Sequence, residues 1–134
     1  MAGYSGTPLV KKLGIKPGHS IALLYPPAGF ENELVDLPKD VKRGEAAKPP
    51  LDLVLLFVKS AAELKKEFGR QAKRLAPAGM LWVSWPKKAS GVVTDLSENV
   101  VREHGLKVGL VDVKACAVNE IWSGLKFVIL LKDR

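Results

Sequence analysis

The sequence is short of the residues that usually carry chemistry. It has one cysteine, Cys116, and two histidines, His19 and His104, in 134 residues. A single cysteine excludes an internal disulfide framework and fits a reducing cytoplasm. The two histidines lie far apart, with no spacing to other ligands that would hold a metal, and no nucleophile–histidine–acid set is present. Long hydrophobic runs are missing as well. Residues 51–58 and 127–131 are apolar but of strand length, far below the ~20 residues that cross a bilayer. The opening MAGYSGTPLVKK has no apolar stretch of the secretory kind. The chain reads as a soluble cytoplasmic domain with no membrane partner.

Acidic residues are outnumbered, 14 against 21 basic ones, for a formal charge of +7. The positive residues are dispersed: Lys11 and Lys12, Lys39, Lys42 and Arg43, Lys65 and Lys66, Arg70, Lys73 and Arg74, Lys87 and Lys88, and Lys132. There is no run of five or six, and aromatic residues do not alternate with them as a stacking platform requires. Charge alone therefore does not make this a nucleic-acid-binding protein.

What the sequence does have is an alternation of apolar runs with amphipathic ones, in a length suited to one domain spanning 1–134. Residues 1–6 read as a loose arm. Thr7 and Pro8 suit an N-cap and a first helical position, and Gly14 a left-handed C-cap. Residues 19–25 (HSIALLY) read as a first strand, ended by Pro26 and Pro27. Phe30, Leu34 and Leu37 fall on one face of a short helix. A short edge strand is possible over 41–47. The run 51–58 (LDLVLLFV) fits a strand covered on both faces.

Ser60 and Glu63 form a capping box, and the helix behind it buries Ala61, Leu64, Phe68, Ala72 and Leu75, with Lys65, Lys66, Glu67, Arg70 and Lys73 outside that face. Residues 80–85 return as a strand, making a right-handed βαβ unit. A helix is expected to start at Thr94 or Asp95 and end at Gly105, followed by a strand over 106–118, a turn over 119–124 and a last strand over 125–131. The sum is an α/β fold, a three-layer Rossmann-like sheet, mostly parallel with a C-terminal antiparallel hairpin.

Two resemblances follow from these segments. LDLVLLFV, a helix, then RLAPAGMLWVSW, together with the opening LGIKPGHSIALLY, is similar to the scaffold of class I S-adenosylmethionine-dependent methyltransferases. That resemblance implies the fold, and it would imply an acidic residue and a glycine-rich turn after the first strand. Here those positions read Leu24, Tyr25, Pro26, Pro27, Ala28 and Gly29, and too little chain follows for the usual two further strands. The shape is that of a truncated member, without the usual motif for the cofactor. At full length, YSGTPLVKKLGI, WPKKASG–TDL and WSGLKFV resemble a bacterial family of small intracellular domains of unknown function.

In an open parallel sheet a ligand binds beyond the carboxyl ends of the strands. Topology brings Lys59, Ser60, Trp85, Lys87, Lys88, Ser90, Thr94, Asp95, Asn119, Glu120, Trp122 and Ser123 towards that rim. Lys87, Lys88 and a helix start at Thr94 suggest an anion site, or else a basic loop that caps a helix. Trp85 and Trp122 suit either a cleft wall or a core cover. Trp82 and Cys116 suit the core. Glu120 beside Trp122 suits an acid or base with a raised pKa, or an ordinary turn glutamate. The expected function is a non-catalytic accessory or binding domain with a basic cleft for an anionic small molecule or an acidic protein segment. The alternatives are a diverged S-adenosylmethionine- or nucleotide-binding enzyme, and nucleic-acid binding. The chain is expected as a monomer, or as a homodimer through its last strand.

Overall fold

A computed structural model of the protein describes residues 7–44 and 47–134. The arm expected over 1–6 lies outside the described residues, as do Glu45 and Ala46 within the possible strand 41–47. The elements run α1 (Leu9–Leu13), β1 (Ile21–Leu24), β2 (Leu51–Phe57), α2 (Ala61–Ala72), β3 (Leu75–Pro86), α3 (Glu98–Val108), β4 (Leu110–Ala117) and β5 (Trp122–Ile129). One five-stranded sheet has the order β1-β2-β3-β5-β4. The first three strands are parallel, and β5 runs antiparallel to both β3 and β4. This is the mostly parallel sheet with a C-terminal antiparallel hairpin that the alternation of segments predicts.

The strand at the centre of the parallel part explains the longest apolar run. β2 is flanked on both edges and covered on both faces, so Leu51 and residues 53–58 are all buried. Its one polar residue, Asp52, accepts a hydrogen bond from the Ser20 amide at 2.8 Å, at the margin of the sheet. α2 and α3 pack on one face, where Leu64, Phe68 and Val101 meet Val54, Leu56, Val83 and Phe127. α1 and a 3-10 turn, Phe30–Glu33, cover the other face, where Val10, Leu13 and Phe30 meet Leu53, Leu55 and Trp82. The Trp82 indole donates to the Leu13 carbonyl at 2.9 Å, which ties α1 to the sheet.

Several boundaries differ from expectation, each for a local reason. Pro8 takes the N-cap position of α1 in place of Thr7. The helix expected from Phe30, Leu34 and Leu37 is only the 3-10 turn, though Phe30 and Leu34 are buried. α2 stops at Ala72, because the Arg74 carbonyl is taken by the Leu51 amide at 2.7 Å and the chain joins the sheet at Leu75. Pro77 then falls in an irregular stretch between the pairs Leu51–Leu75 and Leu53–Met80, where no ladder donor is needed. α3 is capped by Ser97, which accepts from the Val100 amide, so Thr94 does not start it. α3 also runs through Gly105 to Val108, and Gly109 at φ 113° takes the left-handed cap.

The connection between β1 and β2 sets the topology around the carboxyl edge. After the 3-10 turn the chain comes back along the outer side of β1, where Ser20 and Lys42 form a single parallel bridge. It then passes Ala47, which is buried with the α2–α3 face, and enters β2. The chain thus steps outward from β1 to that bridge and crosses back to β2, while β1, β2 and β3 lie side by side in chain order. Open α/β sheets take ligands outside the carboxyl ends of their strands.

Gly105 is helical because of what lies over it. A Cβ there would sit 2.1 Å from the Phe127 ring carbon Cε2. Helix propensity alone favours alanine over glycine by roughly 0.8–1.0 kcal/mol, but overpacking a close contact costs about 1–3 kcal/mol. Gly105→Ala is expected to be destabilised in urea unfolding. A variant more stable than the parent would contradict the packing described.

Candidate functional site

Hydrogen bonds join the segments after β2, after β3 and between β4 and β5. The Thr94 hydroxyl donates to the Lys59 carbonyl at 2.6 Å, and the Asp95 carboxylate accepts from the Ala61 amide at 2.8 Å. The Lys87 amide donates to the Ile121 carbonyl at 2.8 Å. The Asn119 side-chain amide donates to Glu33 at 3.1 Å, which joins the β4–β5 turn to the segment after β1. The rim is assembled, and its polar groups are largely engaged with one another.

These bonds alter the chemistry expected of the rim. A helix N-terminus attracts an anion through its free amides. At α2 the Glu63 amide is capped by Ser60, and the Ala61 amide is capped by Asp95 from the loop after β3. Glu63 in turn accepts from the Lys59 amide at 2.8 Å. The anion-binding amides are thus met by the protein's own hydroxyl and carboxylates. Thr94 and Asp95, expected to open α3, instead close the loop onto α2; Thr94 also accepts from the Leu96 amide. Ser90 is spent within its own loop, donating to the Lys87 carbonyl and accepting from the Val92 amide. Lys59 and Lys88 are exposed and Lys87 is half-buried. Glu120 is exposed in the β4–β5 turn.

The two tryptophans do not face one another. Trp85 is buried with Leu96 and Val83 on the α2–α3 face, and Trp122 is buried on the α1 face. Ser123 pairs with Trp85 across the β3–β5 ladder, and its carbonyl accepts from the Ser84 hydroxyl at 2.8 Å. Trp122 packs edge-on to Phe57 with ring centroids 5.1 Å apart, and Phe57 packs edge-on to Phe30 at 4.8 Å. Phe57 is the last residue of β2, Trp122 the first of β5, and Phe30 opens the 3-10 turn after β1. Their exposures are 2%, 5% and 1%. On the α1 side, the crevice at the strand ends is therefore filled by three aromatic rings.

On the other side of the same crevice lies a network that sequence reasoning missed. Tyr25 follows β1 with φ at +56°, a conformation that non-glycine residues rarely adopt. Its hydroxyl donates to the Glu67 carboxylate on α2 at 2.5 Å, although Tyr25 itself is 60% exposed. Glu67 is only 4% exposed, not on the solvent face of α2 where the sequence pattern puts it. Gln71 donates to its other oxygen at 3.4 Å and accepts from Arg74 at 2.7 Å. The hydrogen bond from Tyr25 is the main reason that the Glu67 carboxyl is held below the usual carboxylate range, against the opposing effect of burial; the same bond raises the Tyr25 phenol. The available signal was the spacing Leu64, Glu67, Phe68, Gln71, which puts both polar residues beside the apolar stripe of α2.

Clefts open elsewhere among the described residues. One, of about 440 Å³, runs along the outer edge of β1 past Leu23, Leu24, Arg43 and Arg74. A smaller one, of about 210 Å³, lies between α2 and α3 at Leu64, Lys65 and His104. His104 packs edge-on to Phe68, and burial lowers its pKa. An apolar one of about 510 Å³ lies by Val113, Val128 and Leu131 beside β4. Cys116 is half-buried in β4, and burial pushes its thiol up, away from the reactive thiolate. Among the described residues no helix is long and apolar enough to cross a membrane.

No protein-family model and no curated protein matches the chain. Solved structures do. A methyltransferase dependent on S-adenosylmethionine, from Aquifex aeolicus, is 16% identical with a TM-score of 0.58, covering 91% of this chain and 88% of that one. The precorrin-6y C5,15-methyltransferase of Geobacter metallireducens is 11% identical with a TM-score of 0.62, covering 91% and 86%. The magnesium protoporphyrin IX methyltransferase of Synechocystis PCC 6803, with bound S-adenosylmethionine, is 10% identical with a TM-score of 0.59, covering 91% and 74%. The chain has a Rossmann-like, methyltransferase-like α/β fold.

Two outcomes are expected of the site. Tyr25→Phe removes the hydroxyl from a buried carboxylate, so the Glu67 pKa rises and the variant unfolds at a lower temperature. A carboxyl whose folded pKa is depressed contributes stability above its unfolded value and loses it as pH falls through the folded value. The gap between parent and variant should thus be full at neutral pH and close in acid; a gap independent of pH between 7 and about 3 would contradict the Tyr25–Glu67 bond. Asp95→Ala leaves the first amide of α2 uncapped and should cost about 1 kcal/mol in denaturant unfolding. No loss would mean that the loop does not cap α2.

Proposed function

We propose that this chain is a non-catalytic binding domain, built on a methyltransferase-like scaffold, that takes an acidic segment of a partner protein. The observation that carries this reading is the filled crevice. Where an open α/β sheet admits a small ligand, Phe30, Phe57 and Trp122 are stacked edge to face and buried. Across the strand ends Tyr25 is hydrogen-bonded to Glu67. The net charge of +7 supplies a general attraction for acidic partners. Lys59 and Lys88 at the rim, and Arg43 and Arg74 at the β1 edge, are the basic groups that would meet one. The rim lysines have carboxylates near them in sequence, Glu63 in the first turn of α2 and Asp95 in the loop after β3, which leaves the two arginines as the stronger attraction.

A second reading is favoured by the fold itself: a diverged enzyme of S-adenosylmethionine or a nucleotide. The residues present do not fit that cofactor in the manner the fold implies. Pro26 and Pro27 remove backbone donors just after β1, and the Phe30 ring that follows the turn is buried against Phe57.

Isothermal titration of the purified protein with S-adenosylmethionine and S-adenosylhomocysteine separates the two readings. The binding-domain reading expects no saturable heat up to ligand concentrations of about 1 mM. A one-to-one isotherm with either compound would overturn it.

A further inference from the structure

The outer edge of β1 is an unfinished ladder. Parallel pairing sends the backbone groups of alternate residues to opposite sides of a strand. The Ser20 carbonyl accepts from the Asp52 and Leu53 amides, so Ser20, Ala22 and Leu24 face β2, while Ile21 and Leu23 face outward. On that outer side the Ile21 amide donates to the Lys42 carbonyl at 2.9 Å, and the Lys42 amide donates to the His19 carbonyl at 2.8 Å. The pairing then stops. Gly44, two residues after that one bridge, adopts φ +61°. Among the described residues nothing pairs with the Leu23 N–H and C=O or the Ile21 C=O, which lie at the cleft of about 440 Å³, with Leu23 and Leu24 half-buried beside it.

Exposed strand edges are normally protected, because they recruit other strands. This one is flanked by Arg43 and Arg74, and neither forms a salt bridge among the described residues. Arg74 is oriented by Gln71 at 2.7 Å, and among the described residues Glu31 is the carboxylate lining the cleft. We propose that the β1 edge is a docking groove for an extended acidic segment of a partner protein, which adds to the sheet as a strand beside Leu23 with its carboxylates towards Arg43 and Arg74. This rests on the binding-domain reading and names the mode of binding. Main-chain hydrogen bonds give such a segment its grip, and the flanking charges select it. A second copy of this chain is a poorer occupant, since β1 against β1 would set Arg43 and Arg74 near their own counterparts.

The probe is a fluorescent peptide of about six residues with alternating valine and glutamate, long enough to span the edge. Its partner probe has the same sequence with alternate backbone nitrogens methylated, which removes the strand donors and keeps the charge. The unmodified peptide is expected to bind, to shift the Leu23 amide resonance, and to bind about tenfold more weakly to Arg43→Glu. Leu23→Pro removes only the outward donor of an edge strand and should weaken binding similarly; Arg43→Glu keeps the test valid if that variant fails to fold. Equal affinity for the methylated peptide would overturn strand addition while leaving an acidic-partner domain standing. Shifts centred on Lys59 and Lys88, self-association through β1, or no binding at about 1 mM peptide would each overturn the groove. Saturable heat with S-adenosylmethionine would instead remove the underlying reading.

Discussion

Phe57 stands at the end of β2 with a ring on either side, Phe30 from the segment after β1 and Trp122 from the start of β5. Each pair meets edge to face at about 5 Å, a geometry that adds to the large burial term of each aromatic side chain. This one cluster fixes the start of the β1–β2 connection against the sheet and anchors the β4–β5 hairpin at the same edge. With Phe30 held down, the chain returns along the outside of β1 and reaches β2 from the other side. The single bridge at Ser20 and Lys42 and the open remainder of the β1 edge lie on that path.

The same path redistributes what the scaffold offers. The crevice at the strand ends is packed with hydrocarbon on one side and latched by Tyr25 and Glu67 on the other. The loop after β3 spends Thr94 and Asp95 on α2, so the positive end of that helix is met from within the protein. Among the described residues, unpaired backbone and guanidinium groups without a salt bridge occur instead along β1, beside Leu23. That transfer, from a ligand crevice to a strand edge, is the physical basis for reading the domain as a binding module on a methyltransferase-like frame.

Much of the frame was legible because apolar periodicity reports burial directly. LDLVLLFV reads as a doubly covered strand, and Ser60 with Glu63 marks the start of α2 to the residue. The convergence of the strand-end loops also follows from topology alone. What was illegible is where side chains from different segments compete. Ser97 and Thr94 are equally good caps in sequence; only the position of the Lys59 carbonyl and the Ala61 amide decides that Thr94 and Asp95 go elsewhere. Gly105 looks like a helix stop until Phe127 is laid over it. Glu67 looks like a solvent residue until Tyr25 arrives from the end of β1. Arg43 carries no local pattern at all, and its relation to the β1 edge exists only after Lys42 has paired with Ser20.

The central claim is that the aromatic cluster is structural packing and not a cover over a site. Thermal and urea unfolding of Phe30→Ala test it most directly. A fully buried phenylalanine replaced by alanine costs about 3–5 kcal/mol through lost transfer energy and the cavity left behind. A loss of that size is predicted. A loss below about 1 kcal/mol would mean that Phe30 packs loosely, that the crevice beneath it opens at little cost, and that the strand ends are a ligand site after all.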